Sequence, residues 1–173
     1  MKHPLSLFGY CPVCGSGDFG EDSFKSKRCS RCGFTFFANA AASTAAFIVR
    51  DGRLLVARRA KEPARGTLDL PGGFVDMGET AEEGMRRELL EETGLDARSM
   101  DYLFSLPNGY DYSGMTIHTL DLFFRVETDE AAEPQAADDA AELLWMPLSQ
   151  LQPELFGLKS IRHAIELFLA REQ

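Results

Sequence analysis

An α+β fold is what this sequence predicts: a mixed sheet covered by helices, with a small metal-held ribbon in front of it. Three observations carry the prediction. All four cysteines fall within the first 32 residues, β-favouring runs are joined by hairpin signals, and two separate segments have helical character. At 173 residues and 45% hydrophobic, the chain buries one good core and has room for a small appendage. The expected division is a ribbon over residues 1–36 and a main domain over 37–173.

From Tyr10 to Phe36 the chain is rich in Gly, Ser, Cys and Lys, and holds too few apolar residues to bury a core without a metal. Cys11, Cys14, Cys29 and Cys32 form a C-x2-C-x14-C-x2-C pattern, and Gly15 and Gly33 follow the second cysteine of each pair, where a tight knuckle needs glycine. Four thiolates complete a tetrahedral Zn²⁺ shell and leave no open position, so the zinc is structural; iron or a redox dithiol is the alternative. Between the knuckles, Lys25, Lys27, Arg28 and Arg31 offset the thiolate charge or, alternatively, offer an RNA- or protein-binding surface.

The segment MKHPLSLFGYCPVCG lacks the charged and apolar regions of a secretory leader, and no apolar run approaches the ~20 residues of a membrane span. The expectation is a soluble, cytoplasmic protein with no membrane partner. A formal charge of −9 without a basic stripe argues against capture of a nucleic-acid backbone, so no nucleic acid is expected as a partner.

Past Phe37, the runs Ala45 to Arg50 and Leu54 to Arg59 flank Asp51-Gly52, a strong hairpin signal. Leu68 to Leu70 is a short apolar stretch running into Pro71-Gly72-Gly73, where the chain turns. Thr80 to Glu92 is read as a helix, with Thr80 and Glu83 at capping-box spacing and Gly94 at the C′ position. Further strands are expected at Tyr102 to Leu106, Thr116 to Val126 and Leu143 to Met146. They are separated by the turn-rich PNGYDYSG and by TDEAAEPQAADDAA, read as a surface loop. Leu158, Ile161, Ile165 and Phe168 recur at the spacing of an amphipathic C-terminal helix.

On the first helix, Glu88, Glu91 and Glu92 project from one face. Three such residues make either a solvated acidic face or a site for Mg²⁺ or Mn²⁺, hard cations that take carboxylate oxygens and engage substrate phosphates. The surrounding segment decides. GFVDMGETAEEGMRRELLEETGL, from Gly73 to Leu95, fits G-x5-E-x7-R-E-U-x-E-E-x-G-U at Gly73, Glu79, Arg87, Glu88, Leu89, Glu91, Glu92, Gly94 and Leu95. This resembles the Nudix box.

The resemblance implies a Nudix α/β/α sandwich and a pyrophosphohydrolase. Glu88, Glu91 and Glu92 resemble the family's metal-binding glutamates, one of which sometimes activates water. Arg87 and Glu79 resemble the pair that keeps loop and helix in register, and the carbonyl of Gly73 resembles a further metal ligand. Phosphoanhydride hydrolysis needs its oxygens neutralised and a water placed in line, which clustered divalent cations supply. Gly84 stands where the family usually has a small residue such as Ala; it either admits a phosphate or a neighbouring loop, or is a tolerated substitution. For the acidic ligand that the family often adds outside the box, Asp138, Asp139 and Glu142 are candidates, and Glu142, three residues before Trp145, is our choice.

A ribbon directly before such a domain resembles the NADH pyrophosphatase branch, as does Gly73-Phe74-Val75 followed by an acid; that branch suggests a homodimer. Its S-Q-P-W-P-F-P-x-S signature is not kept, since the corresponding stretch reads Ser105-Leu106-Pro107-Asn108-Gly109-Tyr110-Asp111-Tyr112-Ser113. Phe74, Tyr110 and Tyr112 remain candidates to stack on a base, or else are core and turn-flanking rings. Arg58, Arg59 and Arg65 precede the box as candidates to grip phosphate, Arg58 first among them, with at least one of the three only a surface charge. His118 and His163 are not expected to be catalytic.

The substrate expected is a nucleoside diphosphate linked to another group, such as NADH, NAD or ADP-ribose. A nucleoside triphosphate pyrophosphatase and a non-hydrolysing nucleotide sensor are the rival readings.

Overall fold

A computed structural model describes residues 2–129, 131–136 and 140–172. The chain forms two compact units, one of Met1–Ala40 with Gly109–His118, the other of Ala41–Asn108 with Thr119–Gln173. In the first, β1 (Phe19–Ser23), β2 (Ser26–Cys29) and β3 (Thr35–Phe37) pair antiparallel in that order. Its core is little more than Cys11, Phe19 and Cys29, with Cys14 and Phe34 against them. Gly15 (φ 69) and Gly33 (φ 79) close the two knuckles by donating to the carbonyls of Cys11 and Cys29, each at 2.9 Å.

The second unit is the sandwich. Its strands are β4 (Ala41–Phe47), β5 (Val49–Arg50), β6 (Arg53–Arg59) and β7 (Leu68–Asp69), then, after the helix α1 (Ala81–Thr93), β8 (Ala97–Tyr112), β9 (Met115–Thr128) and β10 (Ala140–Pro147). Two short 3₁₀ turns lead into α2 (Lys159–Glu172). One sheet has the order β10-β6-β5, with β7 also on β6, all antiparallel; the other has the order β4-β9-β8, in which β4 runs parallel to β9. The mixed pairing expected from the sequence is therefore present.

Alternation along the strands sends side chains to two cores. Phe47, Leu54, Val56 and Phe123 pack with Ile161, Ala164, Ile165 and Phe168 of α2, where the Phe47 and Phe168 rings stack at 4.3 Å. Ala46, Ile48, Leu55 and Phe124 pack with Met85 and Leu89 of α1. The two helices thus cover opposite faces. Among the described residues no helix is long and apolar enough to cross a membrane.

The predicted hairpin forms, with Asp51 (φ 49) and Gly52 (φ 69) in the left-handed conformation a two-residue turn requires. Its first arm, however, is not one strand over Ala45 to Arg50. It divides at Ile48, because Ala41–Phe47 is drawn into parallel pairing with β9 and only Val49–Arg50 pairs with β6. The expected loop PNGYDYSG is also mostly strand: β8 continues to Tyr112 and the chain reverses at Ser113 (φ 52) and Gly114 (φ 78). Pro107 is accommodated because β8 lies at the edge of its sheet, where a missing N–H breaks no ladder.

One buried polar tie joins strands and helix. Asp121 on β9 is 5% exposed and accepts hydroxyl hydrogen bonds from Ser43 on β4, Thr119 and Ser160 in the first turn of α2, each 2.5 Å long. Replacing it by Ala would orphan those hydroxyls. Asp121→Ala is expected to cost about 3 kcal/mol in urea-unfolding stability, and a loss under about 1 kcal/mol would show that the tie carries little.

Candidate active site and metal centres

The turn Pro71-Gly72-Gly73 is laid against β4 by its backbone. Ala46 N–H donates to the Pro71 carbonyl and Thr44 N–H to that of Gly73, both at 2.8 Å, and Val75 N–H donates to Ala42 at 3.0 Å. Gly72 admits no side chain, and Gly73 none without moving Glu88. A Cβ at Gly72 (φ 148) would overlap the Thr44 carbonyl oxygen, and one at Gly73 would strike the Glu88 carboxylate.

α1 starts where the sequence places it. Glu83 N–H donates to the Thr80 hydroxyl at 3.2 Å and Thr80 N–H to the Glu83 carboxylate at 2.8 Å, while Gly94 (φ 70) ends the helix. The first turn of α1 passes under the loop at Gly84, whose Cβ, if present, would lie 3.2 Å from Val75 Cγ2 and 3.3 Å from Glu79 Oε2. Of the two readings for this glycine, the structure shows the close loop.

Arg87 binds loop to helix. Its Nε and Nη2 donate to the two oxygens of Glu79 at 2.8 and 2.9 Å, and Nη2 also donates to the Phe74 carbonyl at 2.9 Å. Its Nη1 donates to Glu88 at 2.7 Å and Glu91 at 3.2 Å. These partners raise the Arg87 pKa above its ordinary value, Glu79 first and Glu88 next. In return, the Arg87 hydrogen bonds, helped by the Asp76 N–H, hold the Glu79 carboxyl down at about 2.

The three box carboxylates differ in setting. Glu92 is buried and accepts from Gly72 N–H at 2.9 Å; Glu88 is largely buried along the Gly73 backbone; Glu91 is half exposed. Hard oxygen donors beside a glycine turn, one with its carbonyl toward β4, are the donor set that Mg²⁺ or Mn²⁺ takes, and these residues fit such an ion.

The cysteines form the tightest cluster of possible metal ligands among the described residues, all four sulfurs lying within 4.8 Å of one another. Cys11 and Cys32 are 3.6 Å apart, as are Cys14 and Cys29. A tetrahedral shell with metal–sulfur bonds of about 2.3 Å spaces its sulfurs by about 3.8 Å, so the cage suits such an ion. Burial raises the Cys11 thiol, but the backbone N–H groups of Cys14 and Val13 and the adjacent thiols bring it down to about 7. The four cysteines are spaced to hold a metal ion.

Other predicted residues are dispersed. Glu142 stands opposite Arg58 in the β10/β6 register and the two form an ion pair at 3.1 Å; Arg58 also donates to the Gly66 carbonyl. Arg59 pairs with buried Asp69, and Arg65 is exposed. Phe74 is 40% exposed in the second unit, whereas Tyr110 and Tyr112, with ring centroids 6.4 Å apart, belong to the first. Asp138 and Asp139 lie outside the described residues. His163 is bonded to Glu166 on the surface of α2, and His118 lies on β9. Sequence reasoning missed Asp121 and Asp69; the one hint for Asp121 is an acid inside the apolar run Leu120 to Phe124.

A NUDIX domain family model matches residues 39–168. NAD-capped RNA hydrolase NudC of Pseudomonas aeruginosa is 26% identical over 162 residues, 94% of this chain and 56% of that protein. The chain thus spans about half the length of that relative. ADP-ribose pyrophosphatase of Methanocaldococcus jannaschii is 32% identical over 130 residues, 74% of each chain. Among solved structures, a NUDIX hydrolase from Nitrosomonas europaea superposes with a TM-score of 0.71 at 19% identity, covering 94% of this chain and 90% of that one. The NUDIX domain of Shewanella oneidensis NrtR complexed with ADP ribose superposes with a TM-score of 0.62 at 20% identity, covering 79% and 91%.

A carboxyl held low stabilises the fold at pH values above its ordinary range, and that contribution is lost as pH falls through the folded value. Glu79→Gln is therefore expected to lower Tm by a constant amount from neutral pH down to about 4.5, the gap closing toward pH 2. Thermal melts of both proteins across that range check this; a gap already closed at pH 5 would contradict it.

Proposed function

This chain belongs to the NUDIX family, and from that premise we propose that it is a divalent-metal-dependent pyrophosphohydrolase acting on a nucleoside diphosphate linked to another group. The observation that carries the proposal is the fixed placement of Glu88 and Glu92 against the Gly72-Gly73 turn, with Arg87 locking the loop to α1. A sensor has no need to keep all the box glutamates. The relatives named for ADP-ribose and NAD-capped RNA favour a dinucleotide-type diphosphate over a nucleoside triphosphate.

Mg²⁺ or Mn²⁺, when bound, supplies charge neutralisation on the phosphate oxygens and lowers the pKa of a water. Glu88, Glu91, Glu92 and the Gly73 carbonyl present the oxygen donors, with Glu142 a further candidate from β10. Arg87 and Glu79 keep those donors at a set spacing, so the site is organised before substrate arrives. A box carboxylate accepts the proton of the attacking water as the bridging bond breaks and the two phosphates separate. Phe74 offers a ring face for the base, and Arg58 a guanidinium for phosphate.

The four cysteines are assigned to structural Zn²⁺, which replaces the core that the ribbon, residues 1–36, does not have. The hydrolase domain then spans 37–173, the protein works in the cytoplasm, and the homodimer of the ribbon-bearing branch is its expected assembly.

The test is Mg²⁺-dependent hydrolysis of NADH, NAD, ADP-ribose, NAD-capped RNA and nucleoside triphosphates, with products identified. Cleavage of a dinucleotide-type substrate into two monophosphates is expected, with kcat reduced at least about 100-fold in Glu92→Gln. Pyrophosphate release from triphosphates, or no turnover of any substrate, would contradict the proposal.

A further inference from the structure

Thr44 sits at the centre of the backbone ladder that holds the glycine turn. Its N–H donates to the Gly73 carbonyl at 2.8 Å, and its own carbonyl is the atom that a Cβ at Gly72 would overlap. Along β4 the side chains alternate. Ser43 turns to Asp121, whereas Thr44 shares its face with Ala46 and Ile48, which pack on Met85 and Leu89 of α1. Met85, Leu89 and Glu92 follow one another at i, i+4 and i+7 and are all buried, so the box carboxylates border that same face.

The hydroxyl placed there has no structural employment. Thr44 is 3% exposed, and among the described residues its Oγ1 is the one buried side-chain oxygen or nitrogen without a hydrogen-bond partner. Such a group weakens a fold, and valine would fill the same space without that cost. The neighbouring hydroxyls of Ser43 and Thr119 are both satisfied, which sets Thr44 apart from them.

We propose that Thr44 is a positioning residue of the divalent-metal centre: its hydroxyl, unpartnered in this structure, is available to hydrogen-bond a carboxylate oxygen of Glu88 or Glu92 once a cation draws those groups together. The proposal rests on the metal-site reading above. It makes Thr44 an outer partner of the kind that orients metal ligands, kept at the expense of fold stability.

Mn²⁺ binding to the nucleotide-free full chain, followed by the electron paramagnetic resonance signal of free Mn²⁺, tests it together with thermal melts. For Thr44→Val the Mn²⁺ Kd is expected to rise about tenfold or more, with Tm equal to or above that of the unmodified chain. For Thr44→Ser, which keeps the hydroxyl and loses a methyl, the affinity is expected to be retained and Tm to fall. A Thr44→Val chain that binds Mn²⁺ as tightly as the unmodified one, or that melts lower, would overturn the proposal, as would a Thr44→Ser chain that loses affinity to the same extent. Failure of the unmodified chain to bind Mn²⁺, or undiminished binding by Glu92→Gln, would instead bring down the metal-site reading, and the role of Thr44 with it.

Discussion

The guanidinium of Arg87 is the constraint on which the site depends. A planar fork with five donors can engage the two oxygens of Glu79, the Phe74 carbonyl, Glu88 and Glu91 together, and it does. The loop from Gly73 to Glu79 leaves Phe74 and Met77 exposed instead of using them as anchors, and its polar backbone is bound by β4 and by this one residue. Glu79, Glu88 and Glu91, gathered round it, would repel one another without its charge. The low pKa of Glu79 and the raised pKa of Arg87 are two faces of the same attachment.

β4 supplies the other half of the frame. It pairs in parallel with β9 over its whole length, and with the residues of the glycine turn on its other side. Its alternate side chains serve both cores, Ala45 and Phe47 toward α2, Ala46 and Ile48 toward α1. Through Ser43 the strand is bound to Asp121 and so to the start of α2. A displacement of α2 therefore reaches the turn that carries Gly73 through β4, whereas α1 meets that turn directly through Glu92 and Glu88.

Much of this was legible in the sequence where the determinants are local. The capping pair Thr80 and Glu83, the C′ Gly94, the Asp51-Gly52 turn and the glycines after Cys14 and Cys32 each specify a backbone conformation within four or five residues, and each adopts it. Helical spacing puts Glu88, Glu91 and Glu92 on one face but leaves a solvated acidic face as the alternative, and it is the match of Gly73 to Leu95 to the Nudix pattern that made the box legible. What the sequence hides is pairing at long range. Ser43 and Asp121 stand 78 residues apart, and no local pattern says that β4 will leave its hairpin at Ile48 to join β9. The continuation of β8 through Pro107 was obscured for a related reason, since a proline excludes only central strands and edge position is a property of the whole sheet. The candidate residues outside the box stay the least legible part, because Arg58 and Glu142 come together across two strands as an ion pair that neither residue's neighbours announce.

A forked guanidinium, and not merely a positive charge, keeps loop and helix in register. Steady-state kinetics of Arg87→Lys on the diphosphate substrate this chain turns over test that most directly. Lysine keeps the charge and loses the fork, so kcat is predicted to fall about 100-fold while the chain remains folded with intact α1. Turnover within a fewfold of that of the unmodified chain would contradict the claim and leave the charge alone as the organising element.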